Sequence, residues 1–128
     1  MEFAFSVAST KPVPEAVAAV EAALAERKFS VLFGLNITQT LQSKGLDFGP
    51  EVRILEVCSA PRAKRVLETN LDMAYFLPCK IVVRSEGTGS RIGMALPSVF
   101  VTAVGDKRLE GEAAEVEAAM REAVLAAK

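Results

Sequence analysis

The sequence predicts an α+β fold: a single two-layer domain over residues 1–128, in which a largely antiparallel sheet carries helices packed on one face. Three observations lead there. Apolar residues alternate with a period of two through Phe29–Ile37 and recur in short runs at Val52–Cys58 and Cys79–Arg84, the pattern of strands. They recur at helical spacing through Pro14–Lys28 and again from Leu109 onward. Glu86-Gly87-Thr88-Gly89 separates two strand-like segments by a glycine-bearing stretch short enough for a hairpin. A chain of this length buries about two-thirds of its unfolded surface and needs no disulfide to fold.

Taken in order, residues 2–9 place Phe3, Phe5 and Val7 at alternate positions, a half-buried strand. Pro14 suits the first turn of the helix that follows, where its missing N–H costs nothing. Val17, Val20 and Leu24 stripe one side of that helix, and Glu15 near its start and Arg27-Lys28 at its end complement its dipole. In the next strand Phe29, Val31, Phe33, Leu35 and Ile37 are expected on one face, with Ser30, Gly34 and Asn36 on the other. Thr38 or Thr40 is the expected cap of a short helix that Gly45 stops. Asp47 to Pro50 is a turn, and Val52–Cys58 is apolar on both sides in part, hence interior to the sheet. Ser59-Ala60-Pro61, a capping hydroxyl followed by proline, opens a helix to about Thr69 with Ala63, Val66 and Leu67 inward. An apolar connector over residues 70–77 leads to the Cys79 strand, the hairpin, and a strand over Ser90–Ala95. Residues 97–104 fit either an edge strand or a short helix capped by Ser98. Leu109, Ala113, Val116, Met120 and Val124 then mark a long terminal amphipathic helix.

Composition excludes much chemistry. The chain has no histidine, so it contains no histidine-dependent triad, no imidazole proton shuttle and no mixed cysteine–histidine zinc site. Fifteen basic residues against 16 acidic ones leave a net charge of −1, without the basic excess that nucleic acid requires. No apolar run approaches membrane-spanning length and the N-terminus lacks the features of a signal peptide, so no membrane partner and a cytoplasmic location are expected. Two asparagines and two glutamines among many Glu, Lys and Arg hint at a thermophile. No fingerprint of a cofactor is present: the glycines of residues 86–89 lack the Gly-Lys-Ser/Thr and helix of a phosphate loop.

The cysteine-bearing turns carry a resemblance. Val57-Cys58-Ser59-Ala60-Pro61 is similar to a Val-Cys-Asn-Pro strand-to-helix turn, and Leu77-Pro78-Cys79-Lys80 to a Leu-Pro-Cys strand start, both of the domain of unknown function 302 family. Phe29-Ser30-Val31, the stretch from Ile37 to Leu41, and Lys44-Gly45 also resemble that family's second strand and short helix. The departure is Ser59-Ala60, where the family pattern has asparagine just before proline. The resemblance implies a small α+β domain, often paired as a homodimer, with no established activity, and it supplies no catalytic residues.

Two sites are candidates. Cys58 and Cys79 are read either as inert, small, apolar strand-end residues, the commoner fate of such cysteines, or as a redox pair or soft-metal site. In the second reading, a thiol beside the helix that starts near Pro61 has a lowered pKa. Antiparallel neighbouring strands bring the two thiols together; parallel ones hold them a strand length apart, about 20 Å. The other candidate is a basic group on strands, Arg53, Lys80, Arg84 and Arg91. Lys80 and Arg84 share a face by the two-residue period and are suited to an anion. The ordinary reading of such charges is a solvated sheet face or a subunit interface. The function expected is a binding or interaction module, without catalysis, for a small apolar or anionic ligand, and homodimeric as the resemblance implies. The alternative is a thiol-based redox or soft-metal-handling protein, and the weakest is an enzyme using carboxylates alone, such as Asp47 with Glu51 or Glu56.

Overall fold

The computed structural model describes residues 2–128. Five strands, β1 (Ala4–Ser9), β2 (Ser30–Asn36), β3 (Val52–Cys58), β4 (Cys79–Glu86) and β5 (Gly89–Ala95), form one antiparallel sheet in the order β1-β5-β4-β3-β2. The two-residue period fixes its inner face. Leu55 and Val57 of β3, Ile81 and Val83 of β4, and Ile92 and Met94 of β5 are all buried. Register aligns them into rows, Leu55 opposite Ile81 and Val83 opposite Ile92. Helices α1 (Val13–Glu26) and α5 (Glu110–Ala127) seal that face with Val20, Leu24, Met120 and Val124, each fully buried in the same cluster. The predicted two-layer α+β architecture is the observed one.

A second, smaller apolar cluster lies at one end of the helical layer. It unites Met73, Val101, Leu109 and Ala113 with half-buried Val66, Leu77 and Phe100. These come from α3 (Ala60–Thr69), a 3-10 turn at Leu71–Tyr75, α4 (Pro97–Val104) and the start of α5. The ambiguous segment 97–104 is thus a helix. Proline in its first turn needs no donor, and left-handed Gly105 (φ 79°) ends it, whereas a strand would have forfeited a ladder bond at Pro97. Its cap position is Leu96, not Ser98. In the connector, Met73 turns inward while Leu71 and Tyr75 stay exposed.

The predicted single face for Phe29 through Ile37 is not what forms. The pairing of β2 with β3 shifts between Val31 and Phe33, so two steps on β2 answer one on β3. Val31 stays on the inner side opposite Val57, but Phe33 falls opposite Glu56 and Leu35 opposite Ile54, on the outer face. Leu32 and Phe33 are 61% and 58% exposed. Ile37 has already left the strand for α2 (Ile37–Ser43), which Asn36 caps, its Oδ1 accepting from the Gln39 N–H at 3.0 Å, in place of Thr38 or Thr40. Thr38 serves instead as a clip: its hydroxyl donates to the Pro50 carbonyl at 2.6 Å and accepts from the Val52 N–H at 2.9 Å, fixing the start of β3. Phe3 precedes β1 and is exposed, whereas Phe5 and Val7 pack on the core as expected.

Left over is an open sheet face. It presents Ser6 from β1, Arg91 and Gly93 from β5, Lys80, Val82 and Arg84 from β4, Ile54 and Glu56 from β3, and Phe33 and Leu35 from β2. If this partition of faces is right, Ile92→Ala will cost about 3 kcal/mol in urea unfolding, as a buried truncation does, while Phe33→Ala will cost under about 0.5 kcal/mol. Comparable losses at the two positions would contradict it.

Candidate functional site

The antiparallel register brings the two cysteines to one neighbourhood. Val57 of β3 lies directly opposite Cys79, the first residue of β4, and Cys58 follows Val57 as the last residue of its strand. Regular alternation sends Cys58 to the face opposite Val57, but the chain is already turning there into α3. Both cysteines line one small cavity beneath that helix, together with Phe29, Arg62, Val66 and Leu77. Both thiols are free and half-buried.

That cavity adjoins a second one. Val66, Leu77, Cys79 and Val116 line both, so the two form a continuous crevice between α3 and α5. Met73 lines the far part, which the stacked rings of Phe76 and Phe100, 5.1 Å apart, also border. The walls are almost wholly apolar, and each part encloses about 40 Å³. A water needs about 15 Å³, whereas organic ligands occupy sites of about 300 Å³ or more. As it stands, the crevice admits a few atoms and no cofactor.

α3 itself buries no residue fully. Two guanidiniums tie it to α5: Arg62 Nη1 donates to Glu112 Oε1 (3.2 Å) and Glu115 Oε2 (3.0 Å), and Arg65 Nη2 to Glu112 Oε1 (3.0 Å). Burial pushes the Glu112 carboxyl up, yet the hydrogen bonds from Arg65 and Arg62 carry it below the usual carboxylate range. This strap escaped the sequence reading. Its signal was the matched i, i+3 spacing of Arg62-Arg65 with Glu112-Glu115, which becomes legible only once α3 and α5 are known to be neighbours.

The expected lowering of the Cys58 pKa does not occur. Ser59 stands at the cap position of α3, but its hydroxyl makes no capping bond, and burial pushes the Cys58 thiol up. Cys79 is pushed up to about 11, first by desolvation and then by the Cys58 charge, against a smaller opposing pull from Lys80. Neutral thiols at neutral pH are poor nucleophiles.

On the open sheet face, the structure gathers three of the four candidate cations and separates the fourth. Lys80, Arg84 and Arg91 border a hollow of about 380 Å³, together with Phe3, Val82 and Gly93. Arg53 lies opposite Val83 on the inner face, where it pairs with Glu51 at 3.1 Å. Lys80 is neutralised by Glu56 and Arg91 by Glu86 at 3.0 Å, and Arg91 Nη1 also donates to the Ser6 hydroxyl at 3.1 Å. Among the described residues the Arg84 side chain makes no hydrogen bond or ion pair, though it sits in the ladder opposite Val52 and Arg91. Glu51 and Glu56 are thus both engaged in ion pairs with cations of the sheet.

Residues 5–127 match the family model described as "Domain of unknown function DUF302". The chain belongs to this family. A crystal structure of an uncharacterized conserved DUF302 protein from Bacillus stearothermophilus is 36% identical, with 100% of both chains covered and a TM-score of 0.96. No curated protein matches the chain. The DUF302 relationship thus accounts for the fold, and the chemistry rests on the geometry above.

Among the described residues of this DUF302 chain, no three His, Cys, Asp or Glu side chains gather as metal ligands, and no helix is long and apolar enough to cross a membrane. The thiol environment is directly testable. A Cys79 pKa near 11 against the ordinary 9.0 lowers the thiolate fraction at neutral pH about 100-fold, and the higher basicity of the thiolate restores about tenfold of the rate. Site-resolved alkylation with iodoacetamide should therefore run about tenfold slower at Cys79 than at a free cysteine, and rise with pH to about pH 11. A rate that levels off near neutral pH would contradict the assignment.

Proposed function

We propose that this chain is a binding module whose open sheet face takes a small organic anion with an apolar body. The observation that carries the reading is Arg84, an unpartnered guanidinium beside a hollow of about 380 Å³. That volume falls in the range of small-molecule sites, about 300 to 1,000 Å³, in contrast to the crevice under α3. The chemistry is mixed in the way such sites require. Phe3, Val82 and Gly93 offer apolar surface and a floor without a side chain, while Arg84 and Arg91 offer planar donors to a carboxylate or phosphate. A hydrogen bond to a charged group contributes about 1.5–3 kcal/mol. Titration calorimetry with benzoate and phenyl phosphate should show saturable binding that Arg84→Ala weakens about tenfold or more. Equal affinity in wild type and variant, or no heat with either probe, would sink the reading.

Self-association is a second reading, favoured by a separate observation. β2 is an edge strand carrying two adjacent exposed apolar residues, Leu32 and Phe33. Unpaired edges with apolar side chains invite a partner, here a second copy of the chain. Light scattering should then give a dimer for the wild type and a monomer for Leu32→Lys/Phe33→Lys; a wild-type monomer at all concentrations would end it. The thiol-redox alternative is weaker, because both thiol pKa values are raised. Two free cysteines are in keeping with a reducing, cytoplasmic setting.

A further inference from the structure

The crevice under α3 lies on the opposite side of the sheet from the anion hollow, and its chemistry is that of sulfur. The chain holds two cysteines and four methionines. Cys58 and Cys79 line one part of the crevice, and Cys79 and Met73 line the other. We infer that this crevice is a binding site for one soft monovalent cation of the Cu(I) or Ag(I) class, held by the Cys58 and Cys79 thiolates with the Met73 thioether as third donor.

Three observations converge on that class. The first is size: about 40 Å³ in each part is ample for a bare ion and far too little for an organic molecule. The second is donor type. Thiolate and thioether select Cu(I) and its congeners, whereas Mg²⁺ and Ca²⁺ require several oxygens. The third is donor number. With no histidine in the chain and no cluster of three Cys, Asp or Glu among the described residues, a four-coordinate zinc site lacks its full ligand set. A d¹⁰ monovalent ion is satisfied by two or three.

The step is a ligand exchange with no electron transfer. Two S–H bonds break, two metal–sulfur bonds form, and two protons leave to solvent: 2 RSH + M⁺ → [M(SR)₂]⁻ + 2 H⁺. The thioether adds as a neutral donor. Entry passes beneath α3, the helix that buries no residue fully and is held to α5 by the Arg62 and Arg65 ion pairs.

The decisive experiment needs no variant. One molar equivalent of Ag(I) added to the reduced wild-type protein should protect Cys58 and Cys79 together from iodoacetamide, read by site-resolved mass spectrometry. Protection of one cysteine alone, or a need for two equivalents to protect both, overturns the site. A second measurement tests the third donor: competition for Cu(I) with bicinchoninate under anaerobic reducing conditions. It should give one ion per chain, with affinity reduced about tenfold in Met73→Leu, a variant that conserves volume, and by about 100-fold or more in Cys79→Ser. Unchanged affinity in Met73→Leu, or in Cys79→Ser, overturns the proposed ligand set. Neither readout involves Arg84, so the outcome is independent of the open-face reading.

Discussion

One-sided burial of the sheet is the constraint on which everything else depends. Because side chains alternate along a strand, sealing Leu55, Val57, Ile81, Val83, Ile92 and Met94 under α1 and α5 commits every intervening residue to the other side. A slip of one residue in the pairing of β3 with β4 would bury Lys80 and Arg84 and expose Ile81 and Val83. Full burial of an aliphatic side chain contributes about 1.5–3 kcal/mol, so several at once make the slip prohibitive. The cations on the outer face are thus a consequence of what the inner face must hide. The same register sets Cys79 opposite Val57 and brings the cysteines of two distant segments under one helix.

The two candidate sites divide by scale and by solvent. The outer hollow is roomy and charged, bordered by groups that recognise anions, and its only unpaired cation is Arg84 among the described residues. The crevice on the other side is tight, apolar and bordered by sulfur. Membership in the DUF302 family and close likeness to a solved DUF302 structure account for the scaffold that holds both.

Much of the scaffold was legible in the sequence because its signals are local. Helical stripes marked α1 and α5, prolines marked helix starts, and Gly45 marked the end of α2 with the positive φ observed. β2 misled for a physical reason. Its alternation is unbroken on paper, yet the bulge at Val31/Phe33 is a property of the pairing with β3, and no residue in β2 announces it. Residues 97–104 were undecidable by pattern, since β-branched residues suit either state; packing against α5 and the 3-10 turn decided for a helix. The shared face of Lys80 and Arg84 followed from the period alone, but Arg53 was grouped with them although it stands on β3 in the inner-facing phase. Met73 was hidden in an apolar connector, where nothing local separates a residue that turns inward from its exposed neighbours.

The central claim is that the uncovered face of the sheet, at Arg84, is a place where a ligand binds. Amide chemical-shift mapping of the labelled protein during titration with benzoate tests it most directly. The account predicts saturating shifts confined to β4, β5 and the start of β1, centred on Val82, Arg84, Arg91 and Gly93. Shifts concentrated on α1 and α5, or scattered and linear in probe concentration, would contradict it.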